Sequence, residues 1–572
     1  WDKNDLDTLG ILKVDVLALG MLSCIHKGFD LIHRHYGRHL DLASVPSEDP
    51  SIYDMLSKGD SLGVFQLESR AQMAMLPRLR PRCFYDLVIE VAIVRPGPIQ
   101  GDMVHPYIRR RNGDEAVELP SEELRQVLGK TLGVPLFQEQ AMKIAIIAAG
   151  FTPSEADQLR RAMATFRKTD KIGVLGAKMI EGMVNRGYAR EFAERCFRQI
   201  EGFGNYGFPE SHAASFALLV YVSSWMKCHM PAAFAAALLN SQPMGFYAPA
   251  QIVRDARDHG VNVLHPDVNY IGWDCDLEPQ SNGELALRLG LRQIKGLRKR
   301  DAMLIEQNRK SGYSHPRELI SRAGVQPSTL ELLARGDAFQ SMELSRRQAF
   351  WTVRGIANST FDSLTEKDSG LPLFNHKKEY YSNKTSNSEP KVSLPIASIG
   401  EEVIDDYNTL KLSLKSHPLA LLREDLSGNS YKAISILENL ADGSPVLLAG
   451  LVLVRQRPST AKGIIFITIE DETGVANLVV WSRQFERFRN IIMSAKFLGV
   501  EGKLQREGEV MHIIVKRLED LTHKLGQITN FNFIEPIAHA DELKSLGYLS
   551  ETSGPQKPAK RIGLGINSRD FH

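Results

Sequence analysis

Lys13 and Asp15 are the first residues along the chain whose types and spacing could carry chemistry. They alternate with apolar residues in the segment 11–17, a pattern that predicts a short buried strand. Alternate residues of a strand share a face, so the lysine and the carboxylate point the same way. A carboxylate among apolar neighbours is costly unless it is paired or binds a metal. The pattern therefore indicates either a Mg²⁺ ligand, with Lys13 placed to meet a phosphate, or a salt bridge at a strand end.

A dense group of cations follows in the middle of the first half of the chain. Its members are Arg160, Arg161, Arg167, Lys168 and Lys171. The first, third and fifth of them are spaced by seven and four residues, so they share one face of a helix. Asp170 is the main acid that opposes them. The stripe predicts a ridge that binds phosphate, although a solvated helix face has the same pattern.

Three further groups combine cations with turns or aromatic side chains, as DNA-binding surfaces do. The first is a run of arginines at a predicted turn: Arg109, Arg110 and Arg111. The second surrounds glycine turns at Gly296 and Gly336 that resemble helix-hairpin-helix elements, and its DNA-binding residues are Lys295 and Arg298. The third lies in a predicted barrel and comprises Arg455, Arg457, Phe466 and Trp481. For Trp481 the alternative is a place in the barrel core.

The elements that would position these residues are helical in the first half of the chain. One helix start is well marked, because Thr152 can act as the N-cap, Pro153 takes the first helical position and Glu155 completes a capping box. That helix is predicted to run to about Lys168. From about residue 285 to 355, short helices alternate with glycine turns.

The last third of the chain has the pattern of a β-barrel. Apolar runs rich in β-branched residues occur at 446–454, 464–470, 475–481, 497–503 and 509–517, with a helix-like piece at 483–493. Five strands with a helix between the third and fourth is the layout of an OB-fold. Residues 361–400 lose periodicity and read as a linker, and the polar tail beyond about residue 550 is predicted to be disordered.

Length and composition set wider bounds. A chain of 572 residues predicts three or more domains, and a net charge of +2 identifies no class of partner by itself. The five cysteines form no CxxC pair, which is typical of a reducing cytoplasm, and no stretch is apolar enough to span a bilayer. The chain starts at Trp1 and has no signal-peptide pattern, so we expect that its true N-terminus is missing.

Several ordered segments together resemble the bacterial family-C DNA polymerases, the family of the DNA polymerase III alpha subunits. They are Leu12-Lys13-Val14-Asp15 with Leu17-Ala18-Leu19-Gly20, residues 63–69, Val94-Arg95-Pro96-Gly97-Pro98, residues 135–140, residues 159–163, Tyr206-Gly207-Phe208 and Ser211-His212-Ala213-Ala214. The match runs from residue 1 to about 345 and resumes in the barrel segment. Residues 207–219 and 240–247 resemble the error-prone, damage-tolerant branch more than the replicative one.

The resemblance implies a multidomain α+β protein. It would consist of the end of a nucleotidyltransferase-like palm (1–25), large helical fingers (26–270), a helix-hairpin-helix region (271–360), a linker with helical pieces (361–440), an OB-fold barrel (441–525) and a tail (526–572). The implied activity is template-directed transfer of deoxynucleotides by two Mg²⁺ ions held on three palm carboxylates, of which Asp15 matches the third. Lys13 would sit beside the metals.

The same resemblance assigns partners and leaves alternatives. Arg160, Arg161 and Arg95 would meet the incoming deoxynucleoside triphosphate, and the basic groups would meet primer-template DNA. Leu371-Pro372-Leu373-Phe374 resembles peptides that bind the sliding clamp, although it also reads as an apolar anchor in a linker. Other damage-response polymerase subunits are further expected partners. Because the other two carboxylates would lie upstream, we expect no polymerisation by this chain alone. A replicative alpha subunit and a non-catalytic DNA-binding scaffold are the alternatives.

Overall fold

The structure is a computed structural model that describes residues 9–11, 17–94, 104–117, 119–164, 171–202, 208–245, 247–356, 394–457, 463–507, 510–528 and 569–571. Some predicted site residues lie outside these ranges: Lys13, Asp15, Arg95, Arg167, Lys168 and Leu371–Phe374. What the sequence predicts for them stays a prediction.

Helices make up the described part of the first half, as predicted. They are α1 (Leu19–Tyr36), α2 (Pro50–Ser57), α3 (Arg70–Leu79), α4 (Phe84–Ile93), α5 (Val104–Asn112), α6 (Glu122–Leu128), α7 (Gln138–Ala149), α8 (Pro153–Ala164), α9 (Lys171–Asn185), α10 (Arg190–Gly202), α11 (Glu210–His229), α12 (Pro231–Asn240) and α13 (Pro249–Asp258). The predicted capping box of α8 is confirmed. The Thr152 N–H donates to Glu155 Oε2 at 3.0 Å, and the Glu155 N–H donates to Thr152 Oγ1 at 3.3 Å.

Two buried helices, α4 and α11, form the centre of this half. They pack against each other within the largest apolar core of the described residues. Ser223, on the buried length of α11, donates to the Leu219 carbonyl at 2.7 Å and accepts from the Phe65 N–H at 3.2 Å. The buried Ser223 hydroxyl is therefore fully hydrogen-bonded within the protein. Among the described residues, no helix is both long and apolar enough to cross a membrane.

The next region joins a small sheet to four helices. The strands are β1 (Val263–Leu264), β2 (Asp276–Pro279) and β3 (Leu285–Arg288), and the helices are α14 (Lys299–Gln307), α15 (Arg317–Ala323), α16 (Pro327–Arg335) and α17 (346–356). β3 is the central strand, parallel to β1 and antiparallel to β2. The sequence did not predict this sheet, because strands of two to four residues are too short to show a two-residue alternation.

Two helices within the segment predicted as a linker pack on both of their neighbours. They are α18 (Ile399–Thr409) and α19 (Pro418–Gly428), and we call them together the bracket. Ser398 and Glu401 form a capping box that starts α18. Ile404 of α18 and Leu419 of α19 belong to an apolar core that also contains the barrel residue Phe497. The bracket is thus a packed element between the helix-hairpin-helix region and the barrel.

The predicted OB-fold barrel is confirmed. Its elements are β4 (Pro445–Gln456), β5 (Ile465–Glu470), β6 (Val475–Val480), α20 (Ser482–Ser494), β7 (Phe497–Glu507) and β8 (Val510–Asp520). The barrel closes because β4 pairs with both β5 and β7, while β8 pairs with both β6 and β7. One short strand of the tail, β9 (Arg569–Phe571), pairs in parallel with β4, so this part of the tail differs from the predicted disorder.

His417 makes the stability of the bracket depend on pH. Its Nδ1 accepts from the Leu419 N–H at 3.1 Å and so caps α19, which requires the neutral imidazole. Burial lowers the pKa of His417 from 6.5 to about 4. A depressed pKa gives stability that is present above pH 6.5 and is lost as the pH falls toward 4. We expect a loss of about 3 kcal/mol at most across this window.

Urea unfolding between pH 7 and pH 4 measures this effect when wild type is compared with His417→Asn. Asparagine also caps helices but does not titrate, so the variant should lose less stability as the solution is acidified. An identical pH dependence in the two proteins would show that His417 is not the titrating group.

Candidate nucleic-acid interface

A glycine turn before α14 presents three consecutive cations to solvent. Ile294 and Leu297 anchor the turn in the core, and Gly296 between them has a φ of +84°, a backbone conformation that favours glycine. The cations that follow, Arg298, Lys299 and Arg300, are exposed. None of the three side chains has an ion-pair or hydrogen-bond partner in the part of the chain that the structure describes. We call Gly296 with these three cations the hairpin site.

The hairpin site lies where two helices begin side by side. Thr329, in the first turn of α16, donates its hydroxyl proton to Asp301 in the first turn of α14 at 2.7 Å. A helix N-terminus carries partial positive charge, so three added cations are unfavourable there without an anion. Asp301 is the one acidic residue in the first turn of α14, and its carboxylate already binds Thr329. The arrangement therefore favours a bound anion such as a DNA phosphate.

The second predicted glycine turn has a different role. Gly336 ends α16 with a φ of −76°, and a Cβ there would lie 2.8 Å from the Ile294 side chain. The glycine is thus needed for close packing beneath the hairpin site. The short turn that joins two helices of this region lies at Gly324, between α15 and α16, with a φ of +69°. Lys295 is half-buried, and its backbone N–H donates to the Thr409 carbonyl of the bracket at 2.9 Å.

A second basic surface lies at one end of the barrel. We call Arg457, Trp481, Arg483 and Arg489 the barrel-end patch; all four are exposed, and Trp481 retains 49% of its accessible surface. The guanidinium carbon of Arg457 lies 5.0 Å from the ring centroid of Phe485, and that of Arg489 lies 5.9 Å from it. An exposed indole among arginines is suited to stack on an unpaired base next to a phosphate.

Arg455 is not part of this patch, contrary to the expectation. It is 8% exposed, and its guanidinium donates to the Ala495 carbonyl inside the barrel. A β-bulge between Val452 and Val454 shifts the register, so that Arg455 is opposite the buried Ile467. Without the extra residue it would lie opposite Phe466, which is half-buried. Strand alternation could not reveal the inward orientation of Arg455, because the bulge reverses it.

Arg160 and Arg161 lie together on α8 and share one carboxylate. Arg160 Nη2 is 2.8 Å from Asp157 Oδ1, and Arg161 Nε is 2.8 Å from Asp157 Oδ2. These hydrogen bonds, that of Arg160 first, lower the pKa of Asp157. Asp157 was not singled out in the sequence analysis, and the expected opposing acid, Asp170, lies outside the described residues. The two arginine side chains remain 36% and 74% exposed.

Three comparisons identify the domains. Residues 21–187 match the bacterial DNA polymerase III alpha subunit finger domain, residues 260–349 a helix-hairpin-helix motif, and residues 446–521 an OB-fold nucleic acid binding domain. Over its whole length the chain is 53% identical to the error-prone DNA polymerase of Brucella abortus biovar 1 (strain 9-941) and 53% identical to that of Ruegeria pomeroyi. The chain belongs to the error-prone branch of the bacterial family-C DNA polymerases. It covers 52% and 50% of those two relatives, so it spans about half the length of the curated relatives it matches.

Within this family-C chain, the arginine run of the fingers is largely committed to the fold. Arg111 Nη1 donates to Asp86 Oδ1 at 2.7 Å and Arg111 Nη2 to Asp86 Oδ2 at 2.6 Å, and its side chain is 15% exposed. Arg109 and Arg110 share the carboxylate of Glu115, each at 2.9 Å. The run lies in the last turn of α5 rather than at a turn, and Arg109 is its most exposed member. Each of the three arginines therefore pairs with a carboxylate of the fingers and helps to hold that domain together.

Two arginines of the barrel-end patch are functional candidates that the sequence analysis did not single out. Arg483 and Arg489 follow Trp481 in α20, and their spacing around Phe485 is visible in the sequence. Thr329, by contrast, could not be linked to Asp301 from sequence, because the two lie 28 residues apart. In the described ranges, no group of three or more histidine, cysteine, aspartate or glutamate side chains could hold a metal ion.

Proposed function

We propose that this chain holds primer-template DNA within a template-directed DNA polymerase of error-prone, translesion and DNA-repair character. The observation that carries the proposal is the hairpin site, where three unpaired cations stand at two adjacent helix starts. Such a site binds phosphates without reading sequence, as a polymerase requires. The names of the relatives and the three domain matches support the same assignment.

The two basic surfaces suit different parts of a primer-template DNA. The hairpin site suits duplex DNA, since backbone phosphates are regularly spaced and accessible there. The barrel-end patch suits single-stranded template, because a base can stack on Trp481 only when it is unpaired. Arg160 and Arg161, with Arg95 outside the described residues, are the proposed contacts of the deoxynucleoside triphosphate. Arg167 and Lys168 remain proposed DNA contacts on the same grounds of charge.

The chemical step belongs to the palm. Asp15 is the proposed Mg²⁺ ligand, because carboxylate oxygens are the protein ligands that Mg²⁺ prefers, and Lys13 is the proposed neighbour that balances charge. Bound Mg²⁺ would supply stabilisation of the charge that develops on the reacting oxygens. Leu371–Phe374 is the proposed clamp-binding peptide, and other damage-response polymerase subunits are proposed partners. A replicative role is the alternative, which the fidelity of the whole polymerase on damaged templates would distinguish.

Removing the three cations of the hairpin site tests the proposal. We expect the triple variant Arg298→Ala, Lys299→Ala, Arg300→Ala to bind duplex DNA more weakly, to a similar extent for different sequences. The slope of log affinity against log salt should decrease in magnitude by about 3, because each phosphate contact contributes about one. Fluorescence anisotropy of the 572-residue chain with a labelled duplex, measured over a range of salt, gives both quantities.

Arg125→Ala serves as the control, since it removes an exposed arginine of the fingers that pairs with Glu122. It should leave the slope unchanged. An unchanged slope in the triple variant would contradict the assignment of the hairpin site to DNA.

A further inference from the structure

The bracket attaches the barrel to the helix-hairpin-helix region through buried charge. Arg346 of α17 is 5% exposed and donates hydrogen bonds to the carboxylate of Asp406 and, at 3.0 Å, to the Glu402 carbonyl, both in α18. Lys415 Nζ lies 2.9 Å from Asp337, which follows α16. The Lys295 N–H of the hairpin turn itself donates to Thr409, the last residue of α18. The hairpin site and the bracket therefore form one packed unit.

The bracket also binds the turn between β5 and β6. Arg423 of α19 donates from Nη2 to Asp471 Oδ2 at 2.9 Å and to Glu472 Oε2 at 2.8 Å. Asp471 is fully buried and also accepts from the N–H groups of Thr473 at 2.7 Å and Gly474 at 3.0 Å. The turn is thus fixed both within itself and to the bracket.

A third attachment joins the barrel directly to α13, the helix that precedes the helix-hairpin-helix match. Arg254 of α13 donates from Nη1 to Glu470 Oε1 at 2.6 Å, and the two side chains are 25% and 13% exposed. Glu470 lies opposite Val475, at the turn end of the β5–β6 pair, whereas Phe466 lies opposite Val479 near the other end. Four residues of strand separate Glu470 from Phe466, which is about 13 Å. The contact covers one end of these strands and leaves the barrel-end patch exposed.

We propose that Arg254 and Glu470 are positioning residues that, together with the bracket, fix the orientation of the barrel, so that the hairpin site and the barrel-end patch bind the duplex and single-stranded parts of one DNA molecule together. The inference rests on the proposed function and adds a geometric requirement to it. Two sites at a fixed separation convert the second contact into an intramolecular step, which raises affinity by about 10² to 10⁴ without any new contact. A barrel that the bracket still holds, but whose orientation is less well fixed, loses part of this gain.

Three DNA molecules test the proposal on the 572-residue chain: a blunt duplex, a short single strand, and the same duplex with a single-stranded overhang. For wild type we expect the overhang to raise duplex affinity by about 100-fold. Arg254→Glu and Glu470→Arg should each reduce that gain several-fold, while duplex affinity is unchanged, because the bracket still attaches the barrel. The combined variant, which exchanges the two charges, should restore the gain. Lys516→Glu, which breaks an exposed ion pair with Glu501 on β7 and β8, should retain it.

Affinity for the short single strand reports whether the barrel is folded. If a charge reversal unfolds it, Arg254→Met is the milder variant, because it keeps side-chain length and leaves Glu470 free to protonate. A smaller overhang gain with intact single-strand affinity supports the proposal. An undiminished gain in Arg254→Met, or an exchange variant with intact single-strand affinity that does not restore the gain, overturns it. Wild type that binds neither the duplex nor the single strand would instead refute the proposed function.

Discussion

Replacing Asp15 with alanine in a full-length polymerase that contains this chain is expected to abolish primer extension while DNA binding persists. A bound metal contributes several kcal/mol to stabilisation of the transition state, and each 1.36 kcal/mol is a factor of ten in rate. Loss of one of its carboxylate ligands should therefore lower the extension rate by about 10³-fold or more. Single-turnover extension of a labelled primer measures the rate, and anisotropy on the same DNA measures binding.

The control for this experiment is Asp30→Ala, which removes a carboxylate that is 62% exposed on α1. It should extend primers like wild type. Retained extension by Asp15→Ala would refute the metal role and favour the alternative in which Asp15 forms a salt bridge at a strand end. Loss of DNA binding together with extension would indicate a structural role for this residue.

Replacing Arg346 with alanine is expected to have the largest effect on stability. The change leaves the buried carboxylate of Asp406, 0% exposed, without its cation, whereas Asp337 keeps its ion pair with Lys415. Removing one partner of a buried ion pair costs about 3–5 kcal/mol, because the remaining charge stays in the interior unpaired. Hydrogen exchange of the amides in α17 and α18 measures the local opening free energy directly.

Arg347→Ala is a matched control in the next residue. Arg347 is 35% exposed and pairs with Glu401 at 3.2 Å, and an exposed ion pair of this kind contributes about 1 kcal/mol or less. The double variant Arg346→Ala, Asp406→Asn should recover part of the lost protection from hydrogen exchange, because it also removes the buried negative charge of Asp406. Equal exchange rates in the two single arginine variants would show that burial does not decide the strength of the Arg346 contacts.

Local signals in the sequence predicted those parts of the structure that depend on neighbouring residues. The capping box of Thr152 and Glu155 forms as expected, because cap and partner are three residues apart. The barrel strands agree with the predicted segments to within four residues, since two-residue alternation and turn residues such as Asp471 and Gly474 are local properties. Gly296 has the positive φ that a glycine turn favours.

Contacts between residues far apart in the chain decided the rest. Arg109 and Arg111 belong to the same run of arginines and cannot be told apart in the sequence. In the fold, however, Arg111 binds Asp86, which lies 25 residues earlier. The glycine turns at 296 and 336 look alike in sequence. Only the structure shows that a side chain at position 336 would collide with Ile294. For Lys13 and Asp15, which lie outside the described residues, the metal role remains a prediction.

The sequence by itself determined the family, the order of domains, the helix caps and the barrel, because these follow from periodicity, turn chemistry and ordered motifs along the chain. Tertiary structure alone decided which of the predicted DNA-binding side chains are exposed. Arg298 and Trp481 are exposed to solvent, whereas a single-residue bulge turns Arg455 into the barrel. The physical reason is that charge is a property of a residue, whereas its availability depends on burial and on carboxylates or carbonyls supplied by distant segments.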